Sequence, residues 1–314
     1  MNEQVDVVCV GLMVADIIAG PLDNFHFAVD TTRVESIAMQ NGGDALNAAI
    51  VLGKLGVKSA IVGKIGDDDF GRFLLAKCRD AGVHAGGVVI APGEKTSSVL
   101  VLRGKSGERV FIYHGGTNDR LCEDDIDFTF MGRAGIAHFG GVFALPALEN
   151  GLANILRRVK QSGKTTTMDV TWDTRGKWLA AIKSALPHLD YFLPSINEAR
   201  AITGKEKPGE IAAALLDLGV GTVIVKLGAA GCYARTAGEE LFAPGFIVPQ
   251  VVDTTGAGDS FVAGFLAGLS RGWDLRACAD FANAAGALCV MQTGATQGVV
   301  NFEQTWDYCR KKKG

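Results

Sequence analysis

The sequence predicts an α/β fold in which a mostly parallel central sheet is covered by helices on both faces. Short β-branched runs alternate with helical patterns along most of the 314 residues, and glycines cluster at the ends of these runs. Strands that alternate with helices are typical of βαβ units, whose strands lie parallel. One segment without a following helix interrupts the alternation and predicts a small additional β-sheet.

The first elements of the chain follow this pattern. A buried strand is predicted at residues 5–10, and Asn41-Gly42-Gly43 then opens a helix that extends to residue 55. A strand at 59–62 and a helix at 70–81 come next. Gly56 and Gly82 stop the two helices, because glycine readily adopts the left-handed conformation that ends a helix.

The interruption lies at residues 97–113. Two apolar runs there flank Gly104-Lys105-Ser106-Gly107, which is a pattern typical of a β-hairpin. The alternation then resumes, with strands predicted at 136–139, 165–169, 191–193 and 222–226, and helices at 148–159, 211–218, 260–270 and 275–290. No internal repeat or linker interrupts the chain, so a single domain spanning residues 1–314 is predicted.

The composition excludes several classes of protein. A net charge of −3 and a pI near 6.0 argue against nucleic acid or an anionic membrane surface as a partner. Seven scattered cysteines without a Cys-x-x-Cys pair argue against structural zinc and indicate the reduced thiols of a cytoplasmic protein. The first residues are not basic and no apolar run approaches about 20 residues, so neither a signal peptide nor a membrane span is predicted.

The most informative segment is residues 251–261. An apolar run leads into Gly256-Ala257-Gly258, and this turn opens a helix that carries Asp259 in its first turn. Unpaired amides and the positive end of the helix dipole make such a turn an anion site. Open α/β sheets also bind ligands beyond the carboxyl ends of their strands, where this turn is predicted to lie.

Asp259 is the unusual feature of this anion site, because a carboxylate repels a bound phosphate. A kinase needs such a carboxylate to accept the proton of the attacking hydroxyl while the amides stabilise the transferring phosphoryl group. The helix dipole should keep Asp259 ionised near neutral pH. Taken alone, an aspartate that only caps the helix explains the same pattern. Phe261 replaces the third glycine of a dinucleotide fingerprint, and no Walker A loop is present.

Two motifs resemble those of the ribokinase-like (PfkB) carbohydrate kinases. Residues 253–259, Asp-Thr-Thr-Gly-Ala-Gly-Asp, resemble the C-terminal signature of that family, and residues 42–49, Gly-Gly-Asp-Ala-Leu-Asn-Ala-Ala, resemble its N-terminal signature. The motifs stand in the family's order, and the α/β alternation extends the resemblance over nearly the whole chain. The resemblance implies a ribokinase-like three-layer sandwich and a sugar kinase that uses ATP and Mg²⁺.

The resemblance also implies roles at the catalytic and substrate positions. Asp259 would be the general base, and the main-chain amides of the turn would form the anion hole at Gly256, Ala257 and Gly258. Substrate hydroxyls would be bound by Asp16, Gly42, Gly43, Asn47 and Asn118. Read singly, Asp16 and Asn47 are also explained as a loop turn and a helix cap.

Further positions resemble the family's nucleotide and cation sites. The nucleotide would contact Lys226, Gly228, Gly231 and Asn283, although Lys226 could equally be a surface lysine at a strand end. Glu198 would bind Mg²⁺ through water, or else be a plain acid at a helix start, and Ser195 replaces the family's asparagine beside it. Asp253 and Thr255 resemble positions that bind a monovalent cation, usually K⁺. Arg175 could help neutralise the transferring phosphate, while Trp172 and Trp178 are predicted to pack in the core.

Residues 17–38 and 97–114 resemble the family's β lid, which covers the sugar and often pairs with the lid of a second subunit. An exposed sheet without a covering helix would otherwise be an aggregation liability. The sequence therefore predicts a homodimer through the lid.

Several functions remain open at this stage. Polar or small residues near Asp16 and Gly43 favour a sugar over a nucleoside as the acceptor, although a nucleoside kinase of the same fold is the alternative. A non-catalytic sugar or nucleotide sensor would need the anion hole but not Asp259. A dehydrogenase would need the third glycine of the dinucleotide fingerprint, which this sequence lacks. The specific sugar is not predicted, but Asp44 stands where members closest to ribokinase carry lysine, which argues against ribose.

Overall fold

The structure is a computed structural model that describes residues 4–22, 30–105 and 109–311. Its strands are β1 (Val5–Gly11), β2 (Val14–Leu22), β3 (Ser36–Gly42), β4 (Ser59–Gly66), β5 (His84–Ala91), β6 (Ser98–Gly104), β7 (Arg109–His114), β8 (Ala134–Gly140), β9 (Thr165–Met168), β10 (Tyr191–Phe192), β11 (Thr222–Lys226), β12 (Gly231–Arg235) and β13 (Glu240–Pro244). Its helices are α1 (Asp44–Lys54), α2 (Asp69–Asp80), α3 (Phe128–Met131), α4 (Pro146–Glu149), α5 (Leu152–Gln161), α6 (Leu179–Ile182), α7 (Ile196–Thr203), α8 (Pro208–Asp217), α9 (Ala257–Ser270), α10 (Leu275–Cys289) and α11 (Phe302–Arg310). Within these ranges, no helix is both long and apolar enough to cross a membrane.

Nine strands form the large sheet, in the order β13-β12-β11-β10-β9-β8-β1-β4-β5. The pairs from β5 to β11 are parallel, and β12 and β13 add an antiparallel edge. The predicted α/β class with a mostly parallel sheet is therefore confirmed.

The side chains of β1 explain why this sheet is covered on both faces. Successive residues of a strand point to opposite faces. Val7 and Cys9 belong to one hydrophobic cluster, which contains α1, α9 and α10. Val8 and Val10 belong to a second cluster on the other face, which contains α5 and α8. A strand buried on both sides needs the continuous apolar run from which it was predicted.

The small sheet contains four strands in the order β3-β2-β6-β7. Here β2 pairs antiparallel with β3 and parallel with β6, and β6 and β7 form the predicted hairpin. The sheet begins earlier than the predicted lid at residue 17, so Asp16 lies within a strand rather than in a loop. Residues 23–29 of the predicted lid and 106–108 of the predicted hairpin turn lie outside the described residues.

The register of the small sheet separates its two faces. Asp16 is opposite Val99, which is opposite Tyr113, so these three side chains share one face. Ile17, Leu100 and Ile112 form the neighbouring row on the other face, and Met39 extends that row onto β3. The sheet therefore has one face that contains Asp16 and an opposite face with an apolar row across all four strands.

Candidate active site

The N-terminus of α9 forms the centre of the candidate site. Gly256 is its N-cap residue, with a φ of 74°, and a Cβ atom there would lie 2.2 Å from the carbonyl oxygen of Ala295. Only glycine suits both this conformation and this close contact. The first amides of a helix have no intrahelical acceptor, so the turn at Gly256, Ala257 and Gly258 presents donors to an anion. Asp259 lies in the first turn beside them.

Two asparagines orient the carboxylate of Asp259. Asn47 of α1 donates from Nδ2 to Oδ2 of Asp259 at 2.8 Å, and Asn41 of β3 donates from Nδ2 to Oδ1 of Asn47 at 2.8 Å. Asn47 is only 4% exposed. The structure therefore brings together two predicted site residues, Asn47 and Asp259, that are 212 positions apart in the chain.

Asp259 belongs to a cluster of carboxylates that sequence reasoning did not find. One carboxylate oxygen from each of Asp44, Asp169 and Asp259 lies within 4.8 Å of the other two. Asp169 follows β9, and its Oδ1 accepts the amide of Gly141 at 3.1 Å. The position of Asp169 at the carboxyl end of a parallel strand was the signal that could have indicated it.

Lys226 supplies a positive charge to this cluster. Its Nζ lies 3.5 Å from Oδ2 of Asp169, and its side chain is 12% exposed. A Cβ atom placed on Gly258 would lie 3.4 Å from the same Nζ. The ammonium therefore lies beside both the carboxylates and the amide turn, and the alternative of a surface lysine is wrong.

Burial governs the titration of the two carboxylates that were predicted to meet the acceptor. Burial, reinforced by the charge of Asp169, raises the pKa of Asp259 to about 7, although the hydrogen bond from Asn47 and the charge of Lys226 oppose this rise. Burial and the charge of Asp259 raise the pKa of Asp16 to about 7. The helix dipole therefore does not keep the pKa of Asp259 at its ordinary value, and near neutral pH the carboxyl is close to its midpoint.

The remaining charges of the cluster favour an ionised Lys226. Burial acts to lower the pKa of Lys226, but Asp169, Glu198, Asp259 and Asp44 outweigh it and raise the pKa. Burial lowers the pKa of nearby His138 to about 3, and the charge of Lys226 acts in the same direction. His138 is therefore neutral, and Lys226 is the cation that, among the residues the structure describes, interacts with these four carboxyl groups.

The glycine pair before α1 leaves room for Asp16. A Cβ atom on Gly42 would lie 2.3 Å from both carboxylate oxygens of Asp16, and one on Gly43 would lie 2.5 Å from the carbonyl oxygen of Leu12. The charge of Asp259 acts on the pKa of Asp16, so the two carboxylates lie near each other, between the small sheet and α9. This region has the polar groups that a polyol would require.

Asn118 has a different position from the one predicted. Its side chain is fully buried, with Nδ2 donating to the carbonyl of Met13 at 3.2 Å and Oδ1 accepting the amide of Met13 at 3.3 Å. Because both ends of its amide bind the main chain after β1, Asn118 holds that segment in place. These hydrogen bonds give Asn118 a structural role, and a contact between Asn118 and the substrate stays a prediction.

Glu198 and Ser195 form a capping box at the start of α7. The amide of Ser195 donates to Oε2 of Glu198 at 2.7 Å, and the amide of Glu198 donates to the hydroxyl of Ser195 at 3.4 Å. Glu198 is also close enough to Lys226 to interact with its charge. One carboxylate oxygen thus serves the helix, while the second is of the type that a hydrated Mg²⁺ accepts. The residues fit an indirect magnesium contact.

Asp253 and Thr255 lie at the base of the amide turn. Asp253 accepts the amide of Thr255 at Oδ1, at 2.9 Å, and the amide of Gly294 at Oδ2, at 3.0 Å. Cys289 Sγ lies 3.4 Å from the carbonyl oxygens of both Thr255 and Ala295. The carbonyl oxygens of Thr255 and Ala295 thus lie around one thiol, at the turn whose Thr255 amide Asp253 accepts, and oxygen ligands of this kind would suit a hard cation such as K⁺.

The predicted nucleotide residues other than Lys226 lie beyond β11. Gly228 begins a short turn, and Gly231 opens β12. Asn283 of α10 donates from Nδ2 to the carbonyl oxygens of Ala243 at 3.0 Å and Pro244 at 3.4 Å. Asn283 therefore ties α10 to β13, and a contact between these three residues and the nucleotide stays a prediction.

The segment after Asp169 contains the remaining residues of interest. Arg175 is paired with Glu149 at 2.7 Å and donates to the carbonyl of Phe143 at 3.0 Å, so its charge is already partly compensated. Trp178 packs edge-on against Trp172 with a centroid distance of 4.7 Å. Trp172 is 56% exposed, so the prediction that it packs in the core is wrong.

Comparisons with known proteins agree with this geometry. The sequence model for the pfkB family carbohydrate kinases matches residues 4–301. Fructokinase-1 of Zea mays is 33% identical over 273 residues, which cover 81% of this chain and 83% of that protein. The structure of ribokinase from Arabidopsis thaliana, complexed with ribose and ATP, superposes with a TM-score of 0.84 at 27% identity, covering 98% of this chain and 99% of that one.

A second solved structure supports the fold. A ribokinase II from E. coli, in complex with ATP and Mg²⁺, superposes with a TM-score of 0.86 at 24% identity. The superposition covers 98% of this chain and 99% of that one. The similarity includes both the large sheet and the small one.

Proposed function

Because the chain belongs to the pfkB family of carbohydrate kinases, we propose that it transfers the γ-phosphoryl group of ATP to a hydroxyl of a small carbohydrate. As a member of that family it is a phosphotransferase with an alcohol group as acceptor. The observation that carries the finer proposal is the carboxylate of Asp259, which is half-buried beside the amide turn and oriented by Asn47.

In the proposed reaction, the acceptor lies between Asp16 and Asp259, with Asn47 and the glycine pair Gly42 and Gly43 at its side. Asp259 accepts the hydroxyl proton while the oxygen attacks the γ-phosphorus. The amides of the turn at 256–258 stabilise the charge that develops on the transferring group. A pKa of about 7 suits this base, because such a group is both available and sufficiently basic near neutral pH.

A substrate screen tests this proposal. Purified protein would be incubated with Mg·ATP and, one at a time, pentoses, hexoses, keto-sugar acids and nucleosides, with ADP release as the readout. We expect acceptor-dependent ADP release with a sugar or sugar derivative. Release only with nucleosides would favour a nucleoside kinase of the same fold, and no release with any acceptor would indicate a non-catalytic binding protein.

The proposal also covers the ligands of Mg²⁺, the residues beside the nucleotide and the location of the protein in the cell. Mg²⁺ would be held by the phosphates of ATP and, through water, by Glu198, where it would neutralise phosphate charge. Gly228, Gly231 and Asn283 would border the nucleotide. The spacing of the seven cysteines supports a reducing, cytoplasmic location.

We expect K⁺ to stimulate the kinase several-fold. A cation held by Asp253, Thr255 and the carbonyls near them would fix the base of the amide turn on which the transferring group rests. Initial rates would be compared in potassium and tetramethylammonium salts at equal ionic strength. K⁺ should also raise Tm, because it binds the folded state. Equal rates in the two salts would contradict a functional cation site.

We expect the small sheet to act as the lid over the acceptor and to mediate a homodimer. The apolar row on its outer face includes Ile112, which is 53% exposed, and Ile37 on the same sheet is 69% exposed. Unpartnered apolar rows on a sheet usually mark an interface. Wild-type protein should therefore sediment as a dimer in analytical ultracentrifugation.

A charged substitution tests this interface. Ile112→Glu should shift the protein towards monomer, because a carboxylate would be buried without a partner at the interface. Val300→Glu is the matched control, since Val300 is 56% exposed and lies outside the small sheet. A wild-type monomer at micromolar concentration, or equal effects of the two variants, would contradict the lid interface.

A further inference from the structure

The predicted contact with the nucleotide does not explain where the ammonium of Lys226 lies. Lys226 ends β11, and its amide donates to the carbonyl of Pro194 at 2.9 Å, beside the strand that leads to Ser195. From there its side chain reaches the carboxylate cluster at the N-terminus of α9 rather than the turn at Gly228–Ala230. The ammonium is thus directed at the place where the acceptor and the γ-phosphoryl group would meet.

Two distances define this position. Nζ of Lys226 is 3.5 Å from Oδ2 of Asp169, which is longer than a typical charge-assisted hydrogen bond. The same Nζ lies 3.4 Å from where a Cβ atom on Gly258 would be. Because Gly258 has no side chain, none stands between the ammonium of Lys226 and the anion site formed by the amide turn.

The surrounding charges make a cation necessary there. Asp44, Asp169, Glu198 and Asp259 all interact electrostatically with Lys226. A triphosphate that enters this site would add further negative charge at the N-terminus of α9. A fixed ammonium offsets both contributions, and at low exposure its effect is larger than it would be in water.

We propose that Lys226 is a catalytic residue whose ammonium contacts the transferring phosphoryl group, with Asp169 as the positioning residue that holds it beside the amide turn. This inference rests on the proposed kinase function and extends it. The loose contact with Asp169 orients the ammonium without using all of its donors, since an ammonium has three N–H groups.

The role of Lys226 fits a balanced transfer step. A bond forms between the acceptor oxygen and the γ-phosphorus, and the bond from that phosphorus to the bridging oxygen breaks, with its electron pair leaving on ADP. The hydroxyl proton goes to Asp259. Lys226 stays an ammonium throughout and stabilises charge on the equatorial oxygens of the moving group, as preorganised donors do in phosphoryl transfer.

The test compares Lys226→Met, which removes the charge, with Lys226→Arg, which retains it. Lys64→Met is the matched control, because Lys64 is 14% exposed and pairs with Asp125 at 3.1 Å, close to the 12% and 3.5 Å of Lys226. For each protein, kcat is measured at saturating acceptor, and the Kd of Mg·ATP is measured by calorimetry. A second measurement titrates Mg·ADP with and without aluminium fluoride, which mimics the transferring group.

We expect Lys226→Met to lower kcat by about 10²- to 10³-fold, the usual effect of removing a donor to transition-state charge. The Kd of Mg·ATP should change much less than kcat, and Lys226→Arg should recover part of the loss. Aluminium fluoride should tighten Mg·ADP binding by about tenfold or more in the wild type and in Lys64→Met, but not in Lys226→Met.

The double variant Lys226→Met with Asp169→Asn covers the case in which the single variant does not fold. It removes both charges of the ion pair, so Asp169 is not left as a buried carboxylate without its cation. It should fold and should still have a low kcat. Recovery of kcat in the double variant would mean that Lys226 only neutralises Asp169, and this would overturn the proposal.

Two other results would also overturn it. One is a rise in the Kd of Mg·ATP that accounts for the whole loss of kcat/KM, because that is the signature of a nucleotide-binding lysine. The other is an unchanged effect of aluminium fluoride in Lys226→Met. The fluoride titration needs no acceptor, so it still decides the role of Lys226 if the wild type phosphorylates nothing, a result that would contradict the kinase function instead.

Discussion

Replacing Asp259 with asparagine is expected to lower kcat by at least about 100-fold while Mg·ATP still binds, because a general base of this kind contributes about 10²- to 10⁴-fold. Asparagine has the shape of aspartate, and its carbonyl can still accept the hydrogen bond from Nδ2 of Asn47. It cannot accept the hydroxyl proton. Steady-state kinetics and nucleotide calorimetry on the same preparation separate the two effects.

The same substitution should stabilise the protein at high pH. The carboxyl of Asp259 has an ordinary pKa of 3.8, which burial raises to about 7 in the folded state. Between these values the folded protein binds more protons than the unfolded chain, so the free energy of unfolding falls as pH rises towards 7. Asp259→Asn has no carboxyl at this position, so its free energy of unfolding does not fall in this way. Its Tm should therefore exceed that of the wild type at pH 8 and match it below about pH 4.

Asp125→Asn is the control for the loss of activity. Asp125 is a carboxylate of low exposure that binds Lys64 at 3.1 Å, away from the cluster that contains Asp259. Its replacement should reduce stability by a small amount and leave kcat unchanged. Near-normal turnover in Asp259→Asn would exclude Asp259 as the base, and a loss of Mg·ATP binding equal to the loss of kcat would assign it to the nucleotide site.

The fold could be predicted from the sequence because its signals are local. In β1 the apolar run at residues 5–10 supplies side chains to both faces, and glycines after the first helices mark where the chain turns. The amide turn before Asp259 is equally local, since Gly256, Gly258 and the first turn of a helix define it within four residues. Such features depend on backbone preferences that each segment has by itself.

The rest of the site depends on contacts between distant segments. Lys226 lies at a strand end, and no local pattern shows whether its side chain points to solvent or to Asp169 from another strand. Asp44 was noticed only as a departure from a family pattern, and its proximity to Asp169 requires the first residue of α1 to lie near the end of β9.

Asn118 makes a long-range contact that the sequence did not predict. A polar residue after a hairpin is consistent with a binding role, but the amide of this one satisfies Met13, 105 positions earlier in the chain. Pairing of this kind follows from the requirement that buried main-chain groups be hydrogen-bonded. It cannot be read from the sequence around either residue, because the need arises only after both segments are buried.

Gly256→Ala is expected to lower kcat by at least about 100-fold, because displacing a catalytic group by about 1 Å can have that effect. A Cβ atom at this position would lie 2.2 Å from the carbonyl oxygen of Ala295 and 2.5 Å from its Cα. Both are backbone atoms, so the start of α9 must shift, and with it the amide turn and Asp259. The change should lower kcat more than it raises the Kd of Mg·ATP, since the amides act most strongly on the charge of the transition state.

Gly272→Ala separates this effect from backbone strain. Gly272 follows the C-terminus of the same helix with a φ of 71°, close to the 74° of Gly256, but nothing lies within 4 Å of a Cβ atom there. Both variants should lose about 1–2 kcal/mol of stability from the left-handed conformation. Only Gly256→Ala should lose activity, and if Tm and kcat fell equally in both variants, the anion site would not depend on the close contact between Gly256 and Ala295.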